Sequence, residues 1–379
     1  VNAQKTSSVA STPLADLIAA EIRRQGGWIG FEPFMAMALY TPGLGYYSRD
    51  DRQFGSLPAD GSDFITAPEL SPLYGRALAR QVAQALELSG TREVWEFGAG
   101  SGALAAQLLE ALGERIDRYT IVDLSATLRE RQRQTAEQRV PAHVAKLHWA
   151  DELPEQIAGV VVGNEVLDAM PVALLHWDGS SWFQRGVALA DPEGAAGFTW
   201  ADRPTDLRPP LETGFVPGTV IELPRQGSAF IRTLAGRLRQ GAAFFIDYGF
   251  PEHEFYHPQR TGGTLMCHRS HQADTDPLVE VGLKDITAHV DFTAIAVTAQ
   301  DAGMDVLGYT SQGRFLLNCG LADDLAAAHA RGDVRTLAHA QKLITEHEMG
   351  ELFKVVGLAP GGGEFDALGF AAGDRSHTL

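Results

Sequence analysis

Apolar residues at positions 14, 17, 18 and 22 fall on one side of a 3.6-residue period, so 13–25 is expected as an amphipathic helix ended by Gly26-Gly27. Residues 31–40 predict a second helix, stopped by Thr41-Pro42-Gly43. Between 41 and 68 Gly, Pro, Asp and Tyr dominate and little periodicity remains; a loop of that length in a compact protein is more often functional than idle. Helical spacing returns over 69–88. From residue 92 short apolar runs alternate with helical patterns, the signature of a parallel α/β sheet. Strands are expected at 93–97, 119–123, 143–149, 157–163 and 242–247, with helices at 103–112, 126–138 and 229–239. Residues 172–221 read as hairpins packed by Trp177, Trp182, Phe183 and Trp200, and 250–291 as an insertion. A helix at 292–302 and strands at 305–309 and 314–317 are expected to finish the sheet, before a tail that reads mainly helical from 320 to 349.

This layout predicts an α/β chain with a Rossmann-like sheet over 70–175 and 240–320. A helical cap and loop occupy 1–69, hairpin and helix segments are inserted at 176–239, and a helical segment closes the chain at 321–379. At 379 residues and 45% apolar content, a sizeable core is available. The formal net charge of -17 repels a phosphate backbone, so a general nucleic-acid binder is disfavoured and a basic peptide or protein partner suits the surface better. Two cysteines, Cys267 and Cys319, are too few for a disulfide scaffold. No apolar run approaches the length of a membrane span, and residues 1–12 lack a signal-peptide pattern, so a soluble intracellular protein is expected, with no membrane insertion.

The most informative segment is Glu96-Phe97-Gly98-Ala99-Gly100-Ser101-Gly102, where a strand runs into alternate glycines and then a helix. Glycine lets backbone turn tightly and approach a ligand with no Cβ between them. Asp123 follows at the end of the next strand, where a carboxylate can accept both ribose hydroxyls of an adenosine. Read from these residues alone, the loop suits S-adenosyl-L-methionine (SAM), a dinucleotide, or a plain tight turn. The acidic residue two before the first Gly favours SAM. So does chain order: Asp151-Glu152-Leu153 follows the third strand and Asn164-Glu165 the fourth, all at carboxyl ends of strands, where ligands of such sheets bind.

These strings, together with Phe34-Met35-Ala36-Met37-Ala38-Leu39-Tyr40, Asp63-Phe64-Ile65-Thr66-Ala67-Pro68-Glu69, the 164–171 stretch, Ile246-Asp247-Tyr248-Gly249, the 285–292 stretch and Gly350-Glu351-Leu352-Phe353, resemble the MidA-like SAM-dependent methyltransferases over nearly the whole chain. The resemblance departs at Asp123, where the family often has Glu, and at Val166, where it more often has Phe or similar. It implies the class I methyltransferase sheet and SAM as cofactor. Residues 63–69 read either as a lid whose Thr66 and Pro68 touch the cofactor and shield the reacting centre from water or as a packed connection between helices; by the resemblance Glu96, Gly98, Ala99, Gly100, Ser101 and Gly102 form the cofactor loop. Asp123, Leu124 and Ser125 then serve its ribose, Asp151, Glu152 and Leu153 its adenine, and Asn164 and Glu165 its amino-acid end. Members occur in bacteria and mitochondria, and the mitochondrial one is a protein arginine methyltransferase needed to assemble respiratory complex I. The resemblance therefore implies a protein substrate, with a complex I subunit as one candidate, and the bacterial cytoplasm ahead of the mitochondrial matrix as the location.

Methyl transfer from a sulfonium needs alignment rather than a covalent intermediate or a metal. A guanidinium is a poor nucleophile whose fork must be held by carboxylates and relieved of a proton. Glu165 and Asp168, three apart, are the first candidates for that clamp, with Asp247 and Tyr248 completing it. Each has a plainer reading: Glu165 as a ligand of the SAM amino group or a helix cap, Asp168 as a cap or surface ion pair, Asp247 as structural. Tyr40, Tyr46 and Tyr47 suit either a substrate groove or a core. His289 beside Asp291 reads as a general base or a buried, hydrogen-bonded side chain. His253, His257, Cys267, His268 and His271 lack a C-x-x-C pair, and no metal is expected. A SAM-binding assembly factor with little turnover and a small-molecule methyltransferase are the alternatives to protein-arginine methylation.

Overall fold

The computed structural model describes residues 12–49, 66–123, 125–192, 197–211, 214–269, 272–363 and 365–379. Its centre is a sheet whose main path has seven strands, β1 Glu93–Phe97, β2 Arg118–Val122, β3 Leu147–Ala150, β4 Ile157–Asn164, β5 Leu238–Phe250, β6 Met304–Ser311 and β7 Phe353–Pro360, with the short strand Val290–Asp291 pairing off the end of β5. They lie side by side in the order β3-β2-β1-β4-β5-β7-β6. The first five pair in parallel, and β7 runs antiparallel to both of its neighbours. Strand order reverses between β1 and β4, which opens a crevice at their carboxyl ends. Because β7 is reversed, its beginning at Phe353 stands at that same end.

Both faces of the sheet are covered, so its strands are apolar on both sides. Val160, Val162, Phe244, Ile246 and Val355 pack under the helices Pro72–Ser89, Ala103–Leu112 and Gln312–Asn318. Val161, Ala243, Phe245 and Val356 face Ile231 and Leu234 of Arg225–Arg237 and Ile295 of Phe292–Asp301. Above the crevice, the helices Pro13–Arg24 and Phe31–Tyr40 share a core with an antiparallel sheet built from Ile29–Gly30, Ala173–Trp177, Trp182–Leu189, Phe198–Pro204 and Val220–Leu223. Thr12 begins the first helix by accepting a hydrogen bond from the Ala15 N–H, and Pro13 occupies its first turn. A small sheet of Met266–Arg269, Gln272–Asp274 and Asp285–Thr287 packs into the same core through Cys267 and Ile286.

Three expected elements differ. Pro141–Lys146 is a 3-10 turn, and only Leu147–Ala150 is strand. The expected strand 314–317 lies within the helix Gln312–Asn318, whose Phe315 and Leu316 pack on the sheet; an apolar run of three residues after Arg314 carries no period to separate the two states. The stretch 321–379, expected as helical, holds the helices Leu321–Ala330 and Val334–Ile344 but then supplies β7, which enters the sheet between β5 and β6.

Candidate active site

A cavity of about 700 Å³ opens at the carboxyl ends of β1, β2, β4 and β5. Six of its lining residues are acidic, Glu69, Glu96, Asp123, Glu165, Asp168 and Asp285, and none among the described residues is Lys or Arg. Such a cavity suits a cation and opposes a pyrophosphate.

The loop after β1 forms one wall. Gly98, Ala99, Gly100 and Ser101 line the cavity, as do Thr66 and Pro68 of the approaching segment. Gly102 does not; a Cβ there would stand 3.0 Å from Gln132 Cα, so this glycine serves helix packing. Glu96 is buried, accepts from the Tyr119 hydroxyl at 2.7 Å, and is pushed by burial up to about 8. Asp123 stands at the end of β2 with Oδ1 accepting from the Ser125 N–H at 2.8 Å and Oδ2 from Gln132 Nε2 at 2.8 Å. The same Gln132 amide reaches the Gly100 carbonyl at 3.2 Å, tying the two halves of the loop site together. Nothing in the sequence singled out Gln132, a polar residue inside a helical run.

Asp151, Glu152 and Leu153 do not line the cavity. Asp151 pairs with Arg129, whose guanidinium also donates to the Asp123 carbonyl, and the Leu153 carbonyl accepts from Arg237 at 2.6 Å. Leu124 and residues 63–65 lie outside the described residues.

The loop after β4 forms the inner end. Glu165 sits at φ 53°, a left-handed conformation unusual for a residue with a side chain, and its N–H donates to the Ile246 carbonyl at 2.8 Å. Its Oε1 accepts from Asn164 Nδ2 at 2.9 Å. Burial, reinforced by the charge of Asp168, pushes Glu165 up to about 8. Asp168 accepts from the Tyr248 hydroxyl through Oδ2, while its Oδ1 is buried with no hydrogen-bond partner among the described residues. Burial moves Asp168 up to about 6, against the Tyr248 hydrogen bond.

Asp247 was expected beside these two in the clamp, but its side chain does not line the cavity. It is fully buried, and its Oδ2 accepts from the N–H groups of Val166, Leu167 and Asp168 at 3.1, 2.9 and 3.2 Å. Its carboxylate therefore points back into the loop and fixes the turn that presents Glu165 and Asp168.

The remaining wall comes from distant segments: Tyr40 and Tyr47 of the cap and His289, each offered by the sequence with a site reading beside a core one, and Met266, His268, Asp285 and Thr287 of the small sheet, which residue spacing did not join to the site. His289 stacks on Phe250 at 5.2 Å and meets Tyr248 edge-on at 5.1 Å. Burial, then the charge of Arg260, brings it down to about 4, which keeps the ring neutral. Asp291 is not its partner in catalysis; it caps the helix Phe292–Asp301 by accepting from the Ala294 N–H at 3.0 Å.

The residues present fit SAM. A wall of small residues and bare backbone, a carboxylate for the ribose at Asp123 and an anionic setting for a sulfonium and an ammonium group are all in place. Comparison with known proteins agrees. A family of S-adenosyl-L-methionine-dependent methyltransferases matches residues 77–310. A protein from Burkholderia thailandensis whose crystal structure holds S-adenosyl-homocysteine is 52% identical, with a TM-score of 0.90 over 97% of this chain and 96% of that one. The mitochondrial protein arginine methyltransferase NDUFAF7 of Danio rerio is 27% identical, over 86% of this chain and 82% of its own. The Drosophila melanogaster homologue is also 27% identical, over 92% and 85%. The chain therefore belongs to the SAM-dependent methyltransferases, with SAM as its cofactor.

Proposed function

We propose that this methyltransferase acts on a protein and methylates a guanidinium ω-nitrogen of arginine. The observation that carries the reading is the inner end of the cavity, where Glu165 and Asp168 stand together on a turn pinned by Asp247, beside the phenol of Tyr248. When bound, SAM supplies an electrophilic methyl group on a sulfonium. The chain's own residues do the rest: Asp168 holds one edge of the guanidinium through its unpartnered Oδ1, Glu165 faces the same group, and either carboxylate takes the proton the nitrogen loses. Asp247 is a positioning residue in this scheme. The NDUFAF7 relatives, named protein arginine methyltransferases, support the acceptor by analogy. A respiratory complex I subunit is the first candidate partner, and the cytoplasm the proposed location.

The test is transfer of tritiated methyl from SAM into hypomethylated cell protein, followed by amino-acid analysis of the hydrolysate. Labelled methylarginine is expected; label confined to small molecules or to other residues overturns the reading. Two further outcomes follow. Asp123→Ala should weaken SAM binding by about 1–3 kcal/mol, through loss of the ribose acceptor; equal calorimetric affinity for mutant and parent refutes that role.

The second concerns pH. Glu165 holds a cation only when ionised, so kcat/KM should climb toward pH 8, and Glu165→Gln should flatten that limb. Stability runs the other way. Glu165 binds its proton more tightly when folded than at its ordinary value of 4.5, so its contribution is complete below that pH and is lost as pH rises to about 8. A parent profile with no rise between pH 6 and 8 contradicts the assignment.

A further inference from the structure

We infer that Asp285 is a second substrate-holding carboxylate, which grips the cationic head of the acceptor side chain together with Asp168. The inference rests on the reading of the acceptor as a guanidinium. Asp285 lies more than a hundred residues beyond the loop after β4, on the strand Asp285–Thr287 of the small inserted sheet, yet it lines the same cavity and is only 3% exposed.

A closed circuit of contacts fixes it there. The Ala288 N–H donates to the Asp168 carbonyl at 3.0 Å, docking the inserted strand on the loop that carries Asp168. From the adjacent Ala169, the carbonyl accepts from the Tyr40 hydroxyl at 2.7 Å. Tyr40 stacks on Tyr47 with ring centroids 5.7 Å apart, and the Tyr47 hydroxyl donates to Asp285 Oδ1 at 2.8 Å. Three parts of the chain, the cap, the core loop and the insertion, thus meet around one acidic space. Burial and the charges of Asp285 and Asp168 hold the Tyr47 phenol well above its ordinary range, so it remains a donor.

Concentrating carboxylates in a buried wall is unfavourable unless a cation joins them. His268 is the cross-strand neighbour of Asp285 and lines the wall beside it. No Lys or Arg among the described residues lines the cavity, so its acidic wall suits a cationic acceptor as well as the sulfonium and ammonium of SAM. A guanidinium is planar, with donors along two edges, and two carboxylates reaching it from separate segments fix its plane as one cannot. An ammonium head has no such plane, so the pair also favours arginine over lysine.

The test uses the whole chain with tritiated-methyl SAM and hypomethylated cell protein, with initial rates read against total protein concentration. Asp285→Asn should raise the apparent KM for protein by about 10- to 100-fold, as expected for losing a charge-assisted hydrogen bond, with S-adenosylhomocysteine affinity unchanged. Asp285→Glu should recover part of the loss. Tyr47→Phe keeps the carboxylate but frees it to swing, and should raise KM by about 3- to 10-fold; it decides the matter if Asp285→Asn fails to bind S-adenosylhomocysteine. Methylarginine in the hydrolysate with unchanged KM in both variants overturns the role of Asp285 and leaves the arginine reading standing. Methyl-lysine with a raised KM removes the arginine reading and keeps Asp285 as a cation holder. Label on a neutral residue, or no labelled protein, overturns both.

Discussion

Asp168→Ala is expected to lower kcat for methyl transfer by about 10²- to 10⁴-fold, the range found when a positioned acid or base is removed. The side chain combines three features. It is nearly buried at 5% exposure, one oxygen is held by Tyr248, and the other has no hydrogen-bond partner among the described residues. A buried, unsatisfied carboxylate oxygen is costly, and it persists where a ligand completes it. Because the glycine loop and Asp123 lie on other strands, S-adenosylhomocysteine should bind the variant as it binds the parent. Asp168→Asn separates charge from shape: it keeps an oxygen for Tyr248 and loses the capacity to take a proton. If both variants lose kcat together, with cofactor affinity intact, the group acts in the transition state rather than in uniform binding. Full turnover by either would remove Asp168 from the chemistry.

What the sequence disclosed follows from how far apart the determinants lie. The strand Glu93–Phe97 and the helices Phe31–Tyr40 and Ala103–Leu112 have the expected bounds, because each carries its own period and its own stop signal. The wall around the glycine loop was legible for the same reason, being a contiguous string after a strand. Strand β7 was not legible. Its buried Lys354 interrupts an apolar run, and its place between β5 and β6 depends on partners far away in the chain. Asp247 shows a different limit: the residue type suggested chemistry, but only the direction of its carboxylate, toward the N–H groups of Val166, Leu167 and Asp168, reveals a support. The acidic far wall had no local signal, since Tyr47 and Asp285 meet across 238 positions.

Gly100→Val should reduce SAM affinity by at least about 100-fold in a protein that still folds, because the position lines the cavity and a strained, displaced loop carries the ribose acceptor with it. Gly100 has φ 49°, a left-handed conformation that a β-branched residue adopts only with strain of about 1–3 kcal/mol. It also lines the cavity, where a glycine lets a ligand approach bare backbone. Its carbonyl accepts from Gln132, which holds Asp123, so a shift of the loop would carry the ribose acceptor with it. Gly102→Ala serves as the contrast. That position has φ 82° and abuts Gln132 Cα at 3.0 Å but does not line the cavity, so its substitution should lower the melting temperature more than it lowers affinity. Calorimetry and thermal unfolding on the two variants separate these effects. A folded Gly100→Val protein that binds S-adenosylhomocysteine like the parent would mean the cofactor does not lie against this loop.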